Sequence, residues 1–359
     1  MRKKLFEVLL VLATLMIVFV MGDRYIGDLP GIATNPAWDE VSASDWMSKI
    51  SDDKKIGEIN LPGTHDTTTQ YVDVSFFSKT QMTDVYTQLM NGFRYLDIRL
   101  ACDEGRMKTV HGFVSCREGA SLFAKKLYLE KVFEQCYRFL DEHPSEAIVF
   151  CVKRDHGDET DEVFQKLLHS YIEENPQYWF LKNENVRLGD ARGKLILARR
   201  YEDENAYGDD GGGLELFWAH QNNTEPTLPA YTESEMKDSA KLYVQDRFCY
   251  TIEDKWEAVA QSITEPPHTV ANMPGPQART MSAQPADNQS ASDIFINFLS
   301  TKGTMTFGHP RKYANIINPR FLQMQLEYGK TYGWIIVDYG TEQIARHIFE
   351  TNELLQESD

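Results

Sequence analysis

Short apolar runs rich in β-branched and aromatic residues recur along the chain at 56–61, 94–100, 107–110, 147–152, 194–199, 242–245, 294–299 and 334–337. Between several of them lie stretches with helical spacing, most clearly at 121–142 and 159–174. Strands this short and this apolar need cover on both faces. A mainly parallel sheet with a surrounding layer of helices supplies that cover. The run count predicts an α/β fold, one irregular (β/α)8 TIM barrel over 30–355. A doubly wound open sheet competes, but no Gly-x-Gly-x-x-Gly follows the first run to favour it. Two stretches break the alternation. Residues 202–216 are rich in Gly and acidic residues and predict a loop. Residues 265–292 carry Pro, Ser, Asn and Gln with almost no large apolar side chain, and predict a mobile insertion between runs six and seven.

Residues 1–24 stand apart. Arg2, Lys3 and Lys4 precede an apolar run from Val8 to Met21, the pattern of an export signal. No clear small-residue cleavage site follows, so a cleaved signal and a retained membrane anchor are both open, and the expected location is outside the cell or at its membrane. The formal net charge of −17 argues against nucleic acid as a partner and against simple attraction to anionic lipid. The five cysteines show no metal-ligand spacing. They leave disulfides and buried thiols as alternatives.

Function is concentrated where the runs end. In a parallel barrel, reacting groups collect at the C-terminal ends of the strands. The first run leads into His65 and Asp66, and the second closes on Asp97 and Arg99, which share a face by their two-residue spacing. The others lead to His111, Lys153, Arg200, Asp246 and Asp338; only the seventh lacks an ionisable end. Each residue alone has an ordinary explanation: a loop histidine, a structural ion pair, a solvated strand end. The regularity does not. Two imidazoles, several carboxylates and three cations on one rim suit phosphoryl chemistry without a metal. One His accepts a proton, the other donates one, and a guanidinium steadies charge on phosphorus. His156, His220, His268 and His309 have no strand-end setting and are read as structural or surface residues.

The same residues carry a family resemblance. The segment Leu-Pro-Gly-Thr-His-Asp-Thr at 61–67 resembles the opening motif of the X-domain of phosphatidylinositol-specific phospholipases C. Tyr-Leu-Asp-Ile-Arg at 95–99, His-Gly at 111–112, Val-Lys-Arg-Asp at 152–155, Val-Gln-Asp at 244–246 and Gly-Trp-Ile-Ile-Val-Asp-Tyr at 333–339 follow in the order of the bacterial, single-domain branch. The similarity runs over about residues 45–350.

The resemblance implies a TIM barrel cleaving phosphatidylinositol to diacylglycerol and inositol 1,2-cyclic phosphate. His65 would be the general base, oriented by Asp338, and His111 the general acid, supported by Asp66. Arg99 would hold the phosphate, with Asp97 ordering the cluster. Lys153, Arg200 and Asp246 would bind the inositol hydroxyls. No metal or other cofactor is expected, since Arg99 fills the neighbourhood where calcium-dependent relatives keep an acidic ligand. The bacterial pattern has Tyr two residues after the Asp of Val-Gln-Asp; here Phe248 keeps the ring and lacks the hydroxyl. Trp218 matches another position near the sugar, with core packing as its alternative. Phe76, Phe77 and Phe307 fall where relatives carry aromatic rim residues that touch the membrane. A monomer is expected. The same fold acting on glycosylated lipid anchors or another phosphodiester, and a non-catalytic inositide-binding module, are the alternatives.

Overall fold

The computed structural model describes residues 29, 35–121, 123–203, 207–237, 240–264, 293–305 and 308–355. The expected leader at 1–24 and the insertion at 265–292 lie outside them. Eight parallel strands follow in chain order: β1 Leu61–Thr64, β2 Tyr95–Asp103, β5 Ile148–Arg154, β7 Leu195–Arg199, β8 Leu214–Glu215, β10 Lys241–Gln245, β11 Ile294–Phe298 and β12 Trp334–Val337. Their neighbours run β8-β7-β5-β2-β1-β12-β11-β10, which is chain order taken around a circle. That is the topology of a TIM barrel. The remaining strands are additions. β3 Arg106–His111 and β4 Val114–Ser115 form an antiparallel extension of β2, β6 Trp179–Phe180 pairs with the start of β7, and β9 Thr232–Glu235 lies antiparallel on β10.

Alternation along the strands separates two cores. On β2, β5 and β7, Leu96, Ile98, Ile148, Phe150, Val152, Leu195 and Leu197 pack beneath the helices Leu129–Glu142 and Asp161–Glu174. The intervening Tyr95, Val149, Cys151, Ile196 and Ala198 belong to the second cluster, with residues of β1 and β12. Each fully buried Leu, Ile or Phe contributes roughly 1.5–3 kcal/mol, so a one-residue register slip is strongly disfavoured. Below the strands, Arg94 and Glu146 form a fully buried ion pair, and Arg94 also donates to the carbonyls of Leu89, Phe93 and Ser44.

The ladder breaks between β8 and β10, where side chains join the wall. The Leu216 N–H donates to Arg199 O. The Gln221 amide then donates to Val244 O at 2.8 Å and accepts from the Asp246 N–H at 3.0 Å.

Several sequence expectations shift here. Run 56–61 is not a strand: 56–58 form a 3-10 turn and β1 begins at Leu61, because Pro62 and Gly63 tolerate the ladder with β12 that the apolar pattern did not suggest. Run 107–110 is the hairpin partner of β2 instead of a barrel strand, and the eighth strand is β8, inside the expected loop 202–216. The helix expected at 121–142 starts at Leu129, since Lys126 and Tyr128 bridge to Arg117 and Lys108 as extended chain. The disulfide alternative falls away: all five cysteines are unpaired, four of them buried. Burial pushes the Cys116 and Cys151 thiols up to about 12.

Candidate active site

The inward series on each central strand begins apolar and ends charged. Tyr95, Asp97 and Arg99 succeed one another on β2; Val149, Cys151 and Lys153 do so on β5; Ile196 and Ala198 continue to Arg200 beyond β7. The two-residue period therefore delivers ionisable groups to one end of the interior. Pairing of Arg99 with Lys153 across β2 and β5 sets their level. His65 follows β1, Asp338 follows β12 and Asp246 follows β10, so they reach the same rim.

His65 and His111 face each other with ring centroids 6.4 Å apart. His65 Nδ1 lies 2.7 Å from Asp338 Oδ1, which places the proton on Nδ1 and aims Nε2 at the cavity. Nε2 has two neighbours of opposite character: Arg99 Nη2 at 2.8 Å and Asp66 Oδ2 at 3.3 Å. The neutral ring accepts from Arg99, and the protonated ring donates to Asp66. Burial disfavours the imidazolium, but the Asp66 and Asp338 carboxylates outweigh it and raise His65 from 6.5 to about 9. His111 Nδ1 lies 2.8 Å from Ser78 O and 3.4 Å from Asp66 Oδ2, so its Nε2 also points at the cavity.

Arg99 sits at the centre. Its Nε is 2.5 Å from Asp66 Oδ1, its Nη2 is 3.2 Å from Asp97 Oδ2, and its Nη1 is 3.7 Å from Asp155 Oδ2. Burial works against the Asp97 carboxylate, yet Arg99 and Arg200 hold it at about 2. Among the described residues, His65, Asp66 and Asp97 alone are grouped tightly enough to offer an ion ligand atoms, all within 4.8 Å of one another. Arg99 contacts all three, so a fixed cation already occupies that neighbourhood. Asp66 has φ of 45°, a conformation that side chains adopt reluctantly; its N–H bond to Asp97 Oδ2 and the Thr69 bonds to its carbonyl fix the turn.

Beside this centre lies a cavity of about 330 Å³, lined by Lys153, Arg200, Trp218, Asp246, Phe248, Thr301 and Lys302 as well as both histidines. The Arg200 guanidinium lies over the Trp218 ring at 3.8 Å, and the indole N–H donates to Asp246 Oδ2 at 3.2 Å. Cation, indole and carboxylate thus form one braced wall, and Trp218 is a cavity residue as well as a neighbour of the core. Burial and the nearby Arg99 lower the Lys153 ammonium, and its Nζ is 2.6 Å from Asp155 Oδ1.

Every site residue expected from the sequence reaches this cavity or the ion cluster beside it. Others were missed. Asp155 accepts from Lys153 and from the Gly112 N–H at 2.6 Å, so it ties the His111 turn to β5; its place in the Val-Lys-Arg-Asp motif was a signal. Gln81, fully buried, donates to His65 O and Val337 O and accepts from Gly340, so it pins the ends of β1 and β12; no motif marks it. His220, read as structural or surface, lines the cavity and meets Phe248 edge-on at 5.4 Å. Phe77 and Phe113 line the cavity and pack against each other, Phe113 being 64% exposed, and the neighbouring Phe76 is 41% exposed. Phe113 was not anticipated, and Phe307 lies outside the described residues.

Comparison with known proteins agrees with this geometry. The model of the phosphatidylinositol-specific phospholipase C X domain matches residues 63–201. A 1-phosphatidylinositol phosphodiesterase of Staphylococcus aureus is 28% identical over 333 residues, covering 87% of this chain and 95% of that protein. A namesake from Listeria monocytogenes is 23% identical over 337 residues, covering 89% and 88%. A crystal structure of the S. aureus phosphatidylinositol-specific phospholipase C superposes with a TM-score of 0.66 at 27% identity, covering 87% of this chain and 98% of that one. With the opening motif, the strand-end residues and the barrel in one order, residues 63–201 match the phosphatidylinositol-specific phospholipase C X domain, and the chain as a whole is similar to bacterial phosphatidylinositol-specific phospholipases C.

Proposed function

We propose that the protein is a phosphatidylinositol-specific phospholipase C that needs no metal. The observation that carries this reading is the pair of imidazoles facing one cavity across Arg99, each with its far nitrogen anchored, next to a pocket of sugar size. His65 Nε2 takes the proton of the inositol 2-hydroxyl, whose oxygen attacks phosphorus. The phosphorus–oxygen bond to the glycerol breaks, and His111 Nε2 gives its proton to that leaving oxygen. Diacylglycerol and inositol 1,2-cyclic phosphate result, with His65 protonated and His111 neutral. Hydrolysis of the cyclic ester by water runs the same two groups in reverse.

Arg99 steadies the negative charge that grows on phosphorus, and Asp66 and Asp97 hold the guanidinium in place. Lys153, Arg200 and Asp246 hydrogen-bond the sugar hydroxyls, while Trp218 and Phe248 supply ring faces. The exposed Phe76 and Phe113 enter the lipid interface, which brings the head group to the cavity without help from net charge.

The test is phosphatidylinositol vesicles in EGTA, followed by phosphorus NMR. The wild type should form the cyclic ester, and His65→Ala and His111→Ala should each lose about 10²–10⁴-fold in turnover. Activity that vanishes in EGTA and returns with calcium overturns the metal-free mechanism, and no turnover under either condition overturns the activity.

A further inference from the structure

Lys255 lies on the helix Ile252–Thr264, behind β10 and β11, with no exposed surface at all. A buried ammonium is costly unless something compensates it, and an apolar side chain of that length would fill the space more cheaply. Among the described residues no carboxylate comes within ion-pair distance of Nζ. Its hydrogen bond goes to Gln245 Oε1 at 2.8 Å. That oxygen also accepts the Arg247 N–H at 2.9 Å, so the Gln245 side chain shapes the turn carrying Asp246 into the cavity. The Gln245 amide donates onward to Asn297 Oδ1 and Phe298 O, locking the turn to β11. The anions that act on Lys255 are Asp246 and Asp338, one on the sugar side and one behind His65, while Arg247 opposes them. Burial prevails over both carboxylates and brings the ammonium down to about 7.

We infer that Lys255 is a positioning residue of the reaction: from behind the strand ends it fixes, through Gln245, the turn that aims Asp246 at the sugar. It touches no substrate. The inference rests on the proposed cleavage of phosphatidylinositol, since Asp246 has a sugar to bind only in that reading.

Lys255→Met keeps the length and removes the donor and the charge. With the wild type active on phosphatidylinositol vesicles, this variant should stay folded, with a thermal midpoint equal to or above that of the wild type. Its KM should rise about tenfold with kcat within about threefold. Adding Lys255→Met to Gln245→Met should cost nothing further, because both changes release the same turn. A folded variant with wild-type KM, or additive losses in the double variant, overturns the inference and leaves the activity standing. An inactive wild type instead refutes the proposed activity. Should Lys255→Met fail to fold, NMR titration of isotope-labelled lysine in the wild type decides. The Lys255 midpoint must move when myo-inositol binds against Asp246, and an unmoved midpoint overturns the inference.

Discussion

From β12 through β1, β2 and β5 to β7, neighbouring strands are joined by continuous parallel ladders, and Asp338, His65, Arg99, Lys153 and Arg200 project from their ends. From β8 to β10 the ladder gives way to the 216–221 segment, held by the amide of Gln221, and this side carries Trp218, His220, Asp246 and Phe248. The two sides serve different needs. Proton transfer tolerates little misplacement, so its groups stand on backbone-paired strands. Sugar recognition spreads over stacking faces and several hydrogen bonds, each modest, and a side-chain-braced wall is sufficient. Damage to Asp338, His65 or Arg99 on the ladder side should therefore appear in kcat and in the pH profile, whereas Lys153 and Arg200, which stand on the same strands, bind the sugar and should answer in KM. Damage to the seam side should appear in KM and stability.

The sharpest test of that division is Asp338→Asn. Asparagine can still accept from His65 Nδ1, but the charge is gone and the wrong ring tautomer becomes available. A loss of about 10²–10⁴-fold in kcat is expected. The pH profile gives an independent sign. The base must be neutral to act, and two carboxylates raise its folded value from 6.5 to about 9, so kcat/KM for the wild type should climb with pH up to that region. Removing one carboxylate moves the climb to lower pH, toward 6.5. A climb that stays in place in Asp338→Asn would remove Asp338 from its role as the partner of His65.

On the seam side, Trp218→Ala takes away both the face under Arg200 and the donor to Asp246. A cation over an indole and one charged hydrogen bond together correspond to a KM about tenfold higher. Vesicle kinetics with kcat near the wild-type value would agree. A kcat loss comparable to that of Asp338→Asn would show that the two sides are not separable.

The same division governs what could be read from sequence. On β2, β5 and β7 the apolar period continues straight into Asp97, Arg99, Lys153 and Arg200, and periodicity alone puts them on one rim. β1 escaped because its four residues include Pro62 and Gly63, which carry no strand pattern; only the motif around His65 marked the place. β8 escaped because two residues, Leu214 and Glu215, form it inside a Gly-rich loop. Gln81 and Gln221 act by satisfying backbone groups far away in the chain and Lys255 by a bond to a side chain on the preceding strand, and such pairings leave no local period. The environment of His65 is likewise invisible before folding, since Asp66 is adjacent but Asp338 arrives 273 positions later.

Gln221→Leu probes the seam at its joint and carries the smallest expected kinetic effect. The amide is buried and makes three bonds: to Val244 O, to Thr232 Oγ1 at 2.9 Å, and from the Asp246 N–H. Leucine fills similar space, leaves the buried Asp246 N–H without its partner and leaves Val244 O with the long 3.4 Å bond from Thr232 Oγ1, each group worth up to about 1–3 kcal/mol. Denaturant unfolding should therefore register a loss of about 2–4 kcal/mol, the two groups relaxing in part toward each other. Asp246 keeps its bond from Trp218, so KM should rise only about threefold and kcat should hold, since no proton-transfer group rests on this joint. If kcat falls with stability intact, the seam must reach His65 or His111 through contacts beyond Asp246, and the ladder side would not be independent of it.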